Sequence, residues 1–292
     1  PVQKQTVQKS GADQTDNSGS ETDEPSGTDK TEKQKQAEKK TKKAEGTDFH
    51  QKYAAIFNNY INNQGRVDYS TLRRRRIELD RVLDHFTQLP LREYQKWPRE
   101  DKIAFWINAY NLHTIKIILE NYPIEASRIL KIIWGPDSVR HIDKEIGGIE
   151  NQKFIIMQEE FTLREINSRF FLIKFRDPRI CFALSRGTVY TPPLRQEPYT
   201  GEKLDEQLND QIDRYLAKPK AFSIDRENNT VYISLIFSKD WYGKKFLQKY
   251  ETERKFKDQP PVISAVLNFL VNHIPGNDAN YLMTENYSVI FT

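Results

Sequence analysis

The sequence predicts an α+β fold: one globular domain of helices packed on a mainly antiparallel sheet, entered through a disordered N-terminal tail. Three observations predict it. Apolar residues recur at three- and four-residue spacing over several long stretches, the mark of amphipathic helices. Short β-rich runs bounded by glycine, proline and asparagine fall between them without strict alternation, which disfavours a doubly wound parallel sheet. The first 47 residues hold only Val2, Val7, Ala12, Ala37 and Ala44 as apolar side chains and no aromatic, too little to offset the entropy of ordering them. The expected division is therefore a polar tether over 1–47 and a folded domain over 48–292.

FHQKYAAIFNNYI places Phe49, Tyr53, Ile56, Phe57 and Tyr60 on one helical face, and Gly65 ends it. TLRRRRIELDRVLDHFTQL predicts a second helix through Leu72, Leu79, Val82, Leu83 and Phe86. Its four arginines, Arg73 to Arg76, have Glu78, Asp80 and Asp84 beside them and read as a solvated face, with a membrane-surface patch as the sharper alternative. REDKIAFWINAYNLHTIKIILENYP is the strongest helix, stopped before Pro123. It carries Asn108 and Asn111, three apart among apolar neighbours, so each amide either clamps a nearby loop or faces a polar pocket. His113 reads as partly exposed packing.

Strand-like runs follow from Ser127 to Met157, broken at Gly135-Pro136 and Gly147-Gly148. FTLREINSRFFLI predicts a helix with Thr162 and Glu165 as a capping box. RICFALSR reads as a buried strand, KLDEQLNDQIDRYL as a helix, and AFSIDRENNTVYISLIF as a hairpin around Asn228-Asn229. PPVISAVLNFLVNHI closes the helices and ENYSVIFT the strands. The aromatic stretches Phe170 to Phe175 and Phe237 to Phe246 read as core.

Composition excludes several classes. Residues 1–47 hold nine lysines against nine acids, so the net charge of +4 belongs to the domain, a mild excess that is no nucleic-acid signature. Cys181 is the only cysteine and reads as a small buried hydrophobe, so no intramolecular disulfide and no cysteine-rich metal site is expected. The five histidines lack metal-ligand spacing, and no phosphate loop, dinucleotide fingerprint or GxSxG elbow occurs. No cofactor and no metal are expected. No apolar run reaches the roughly 18 residues of a membrane span. A start at Pro1 and a polar tether together suggest an upstream segment that tethered the protein at a membrane surface outside the cytoplasm, periplasmic or secreted; a cytosolic protein with a trimmed tail would read the same.

The remaining signal lies in motifs read together. GRVDYSTLR (65–73), AFWINAYNLHTIKIILENYP (104–123), FTLREI (161–166), DPRICFAL (177–184), PPLRQEPYTGEKLDEQLND (192–210) and ISLIFSKDWYGKKF (233–246) occur in an order that resembles the domain-of-unknown-function 547 family, across about 49–291. The resemblance implies a histidine at the end of FTLREINS and cysteines in the SRGTVYTPP loop. Such a set would look like a thiol hydrolase distantly similar to papain or transglutaminase, with imidazole activating thiolate. In this chain Ser168 stands at the histidine position, Thr191 at the Cys-Pro-Pro cysteine, and Arg186 at the second cysteine.

The resemblance thus implies a degenerate site and a catalytically silent binding or scaffolding domain. Ser168 cannot act as a base for Thr191, and losing both members of such a pair removes the chemistry of the unit. Asn108, Asn111, Ser185, Arg186, Tyr190, Arg195, Glu197 and Tyr199 are the expected pocket residues. The expected partner is a small molecule, a peptide or an envelope component. Two alternatives remain open: a rewired hydrolase or transferase, with His113 or His141 serving Thr191, Tyr190 or Ser185, and an envelope-interaction protein acting through tether and basic surface.

Overall fold

A computed structural model describes residues 49–125, 138–142, 148–188, 191–250 and 255–292. The expectations for the tether and for strands between Ser127 and Gly135 lie outside these residues. The chain opens with α1 (Ala54–Tyr60), α2 (Tyr69–Arg74), α3 (Arg76–Gln88) and α4 (Leu91–Lys96), which lead into α5 (Arg99–Glu120). The expected arginine-rich helix is two helices, broken at Arg75, with all four arginines exposed. Asp68 starts α2 by accepting from the Thr71 amide at 2.9 Å.

Helix α5 is the axis of the fold. It is buried along nearly its whole length and packs against α2 and α3. An all-round apolar surface requires neighbours on every side, and the polar residues trapped there must find partners. His113, expected to be partly exposed, is buried at 4 % and stacks on Phe154 with ring centroids 3.9 Å apart. The covering strand hairpin encloses it. That hairpin is β1 (Lys153–Ile156) and β2 (Glu159–Thr162), antiparallel and hinged on Met157 and Gln158, both in the left-handed region.

The predicted capping box is present: Thr162 accepts from the Glu165 amide at 3.1 Å while Glu165 accepts from the Thr162 amide at 2.9 Å. It opens α6 (Leu163–Ile166), which widens into a nine-residue π-helix, Asn167–Phe175. Trp106 of α5 stacks on Phe170 of this segment at 3.6 Å.

RICFALSR is not a strand. Residues Pro178–Ala183 form a 3-10 helix, started by proline at its first position and by Asp177 accepting from the Arg179 amide. An apolar run buried on all sides looks the same in either conformation, so periodicity could not separate them.

The expected later helix is α7 (Leu204–Leu216), against which the 3-10 segment packs. The predicted hairpin pairs β3 (Phe222–Asp225) with β4 (Thr230–Ile233), Asn229 taking the left-handed turn position. Helices α8 (Gly243–Tyr250), α9 (Pro261–Leu270) and α10 (Gly276–Leu282) precede β5 (Ser288–Phe291), which joins β4 in parallel. The three-stranded sheet is thus mixed, in order β3-β4-β5. Phe182, Phe237, Phe246 and Phe269 interlock beneath it, the nearest pair 4.9 Å apart. The fold is α+β, as expected.

Candidate functional site

The two asparagines of α5 act as backbone clamps. Asn108 donates to the Tyr199 carbonyl at 2.7 Å and accepts from the Tyr199 amide at 2.9 Å, pairing with that residue as a strand would. It also donates to the Tyr53 hydroxyl at 3.0 Å. Asn111 donates to the Ala183 carbonyl at 2.8 Å and accepts from the Ser185 amide at 2.9 Å. These bonds satisfy backbone groups at the end of the 3-10 helix and in the loop at Tyr199, which have no ladder to join. Both amides are consumed in holding loops, and among the described residues neither lines the clefts around Arg186 and His141.

Tyr53 leads into a buried polar relay that spacing did not reveal. His50 meets the Tyr53 hydroxyl through Nδ1, its Nε2 lies 3.5 Å from Asp101 without a hydrogen bond, and Asp101 accepts from the Gly201 amide at 3.0 Å. The grouping is that of an acid-base triad, yet it is sealed: His50 and Tyr53 are 0 % exposed and Asp101 1 %. Burial pushes the Tyr53 hydroxyl far from ionising. It ties the first described helical turn to α5 and to the loop before α7.

Arg195, Glu197 and Tyr199 form a second knot. Arg195 bonds Glu197 at 2.8 Å and Asp210 of α7, and Gln207 donates to both Glu197 and the Pro198 carbonyl. None of the three lines a cleft described here.

The loop after Leu184 behaves differently. The Thr191 hydroxyl donates to the Thr188 carbonyl at 2.9 Å and accepts from the Arg186 amide at 3.3 Å, closing the loop on itself. Tyr190 lies outside the described residues. Ser185 keeps its amide in the Asn111 clamp and is 9 % exposed. The Arg186 side chain turns away from these and enters a cleft of about 270 Å³.

Arg186 dominates that cleft. Its Nε meets Glu150 at 3.0 Å and the Tyr110 hydroxyl at 3.3 Å, and its guanidinium lies over the Trp241 ring at 4.3 Å. Burial works against its charge, but Tyr110, Tyr242 and Glu150 outweigh that and hold it firmly protonated. The π-helix supplies the opposite wall, presenting Asn167, Ser168 and Leu172. Single-turn π-bulges are common at functional sites, and here the wider turn sets Asn167 2.5 Å from the Tyr242 hydroxyl. Arg164 and Asp240 complete the charged lining.

Of the two loop positions where the resemblance implies cysteines, it is Arg186, and not Thr191, that lines the cleft of about 270 Å³ with Ser168. Residues 94–216 match the family described as protein of unknown function, DUF547. This span belongs to the DUF547 family. It runs from α4 through α7, narrower than the 49–291 suggested by the motifs, and it contains Glu150, Ser168 and Arg186. Asp240, Trp241 and Tyr242 fall beyond it, so the DUF547 segment builds most of the cleft and a later segment closes it. No curated protein and no solved structure matches the chain.

Sequence reasoning missed Trp241, read as core within an aromatic stretch but 44 % exposed, and missed Glu150, Tyr110 and Asn167. The SKDW tetrapeptide, with three polar residues directly before the tryptophan, was the available signal. No histidine and no cysteine lines the cleft. His113 is buried under Phe154, and His141 lines a separate cleft with Arg73 and Glu120. Cys181 is buried and its thiol pushed up by desolvation. Among the described residues no cluster of three or more His, Cys, Asp or Glu side chains is placed to hold a metal ion, and no helix is long and apolar enough to cross a membrane.

Proposed function

We propose that this DUF547 domain is a ligand-binding module whose family cleft no longer performs nucleophilic catalysis. The observation that carries the reading is the pairing of Ser168 and Arg186 around one cleft, at the positions where the family resemblance implies a base and a cysteine. A covalent mechanism needs a nucleophile within reach of a base that accepts its proton near neutral pH. The Ser168 hydroxyl instead donates to the Glu165 carbonyl at 3.2 Å, and Arg186 is a permanent cation. What remains is a concave, partly aromatic surface with fixed polar groups, the ordinary make-up of a small-molecule site.

The test is ester hydrolysis. Native protein incubated with p-nitrophenyl acetate is expected to match the rate of a Ser168→Ala variant and of buffer. A native rate well above both would overturn the reading. The double change Ser168→His with Arg186→Cys is expected to react with iodoacetamide faster than free cysteine does, through the restored thiol and imidazole.

A further inference from the structure

We infer that the ligand of this cleft carries a carboxylate, bound by the terminal nitrogens of Arg186. The inference rests on the reading of the cleft as a binding site and adds what that site selects. A guanidinium offers five N–H groups in one plane. The single Nε–H of Arg186 is donated to the Tyr110 hydroxyl, and Glu150 sits 3.0 Å from the same nitrogen as an ion-pair partner. Its two terminal nitrogens make no hydrogen bond to any described residue, and the side chain, 14 % exposed, faces the cleft. Four donors thus remain in a fork whose plane is fixed from one side by Trp241.

That geometry is matched by a planar pair of oxygens accepting two parallel bonds. Charge separates a carboxylate from a phosphate. The cleft is lined by Arg164 and Arg186 against Glu150 and Asp240, so its formal charge is balanced. With the lining neutral, a dianionic phosphate would set two uncompensated negative charges beside both carboxylates, and a monocarboxylate only one. A monoanion on the Arg186 fork leaves Asp240 to accept from amide or ammonium donors on the same molecule, while Glu150 stays paired with Arg186 and Arg164. The ligand class is therefore a small carboxylate bearing N–H donors, such as an amino-acid or peptide C-terminus, with Trp241 beside it. The site is not a general anion trap, because Arg164 already leans on Asn151 at 2.7 Å and on Glu150.

The experiment uses the full chain and the Trp241 indole N–H resonance, assigned by its loss in Trp241→Phe. N-acetylglycine, N-acetylglycinamide and inorganic phosphate are titrated separately. N-acetylglycine is expected to move the resonance at least tenfold more tightly than the amide or phosphate. Arg186→Met should abolish that shift, and Arg186→Lys, which keeps the charge but not the fork, should weaken it tenfold or more, with circular dichroism unchanged in both. Equal response to acid and amide overturns the carboxylate assignment while the cleft still binds. Tighter binding of phosphate overturns it in the same way. If none of the three probes moves Trp241, the binding reading of the cleft fails as well.

Discussion

Asn108 illustrates how one side chain can hold a loop. Its amide replaces a strand neighbour for Tyr199, satisfying both backbone groups of that residue in a place where no water reaches. Asn108→Ala would orphan that carbonyl and amide together, a loss of about 3 kcal/mol from the desolvated groups, seen as a lower urea midpoint at an unchanged slope. Asn108→Asp keeps the acceptor and loses the donor, so it should also destabilise. His113 makes a second prediction at this scale. Burial, and then Lys116, lower its pKa from 6.5 to about 3. Between those values the unfolded chain takes up a proton that the folded chain refuses. Stability from this residue is thus complete above pH 6.5 and falls as pH drops, by up to roughly 1.4 kcal/mol per pH unit within the window. The fall in urea midpoint from pH 7 to pH 4 is expected to be steeper in native protein than in His113→Phe; equal slopes would exclude the buried neutral ring. Neither asparagine role nor His113 burial could be separated from its alternative by spacing alone, because a polar residue among apolar ones on a helix leaves open what packs against it.

At the scale of elements, the capping box and the π-helix form one device. Thr162 and Glu165 fix where α6 begins, and the turn that follows widens to bring Asn167 and Ser168 to the cleft. Thr162→Ala removes one side of the box and should cost about 1 kcal/mol. If the cap also sets the register of the π-helix, the Trp241 indole resonance will shift in the same variant. An unmoved resonance would show that the packing of Trp106 on Phe170 holds the segment without the cap. The box was legible because S/T-x-x-E is a local pattern. The π-helix was not, since its extra residue per turn is selected by Trp106 and Tyr242, both distant in sequence.

For the whole molecule, the described residues 49 onward fall within one compact unit, and their buried side chains form one connected core. Helix α5 joins its neighbours on both sides in sequence, touching α2 and α3 before it and α6 and α7 after it. Heat or urea is therefore expected to unfold the domain in one transition, with near- and far-ultraviolet circular dichroism coincident. Two separated transitions would show that the DUF547 span and the closing segment with Trp241 unfold independently. That closing segment matters for the cleft, because the family match ends at residue 216 and Trp241 lies beyond it.

Composition and hydrophobic period determined, without further help, that this chain is α+β, where most of its helices lie, and that positions 168, 186 and 191 carry no imidazole or thiol. Those are properties of local order, and local order is written in consecutive residues. Only the tertiary structure decided that Arg186, rather than Thr191, shares a cleft with Ser168, that the asparagines hold backbone and do not line that cleft, and that one tryptophan of an aromatic stretch faces outward. Each of those outcomes depends on which distant segment supplies the second partner of a contact, and a buried group accepts whichever partner the packing brings within hydrogen-bond reach.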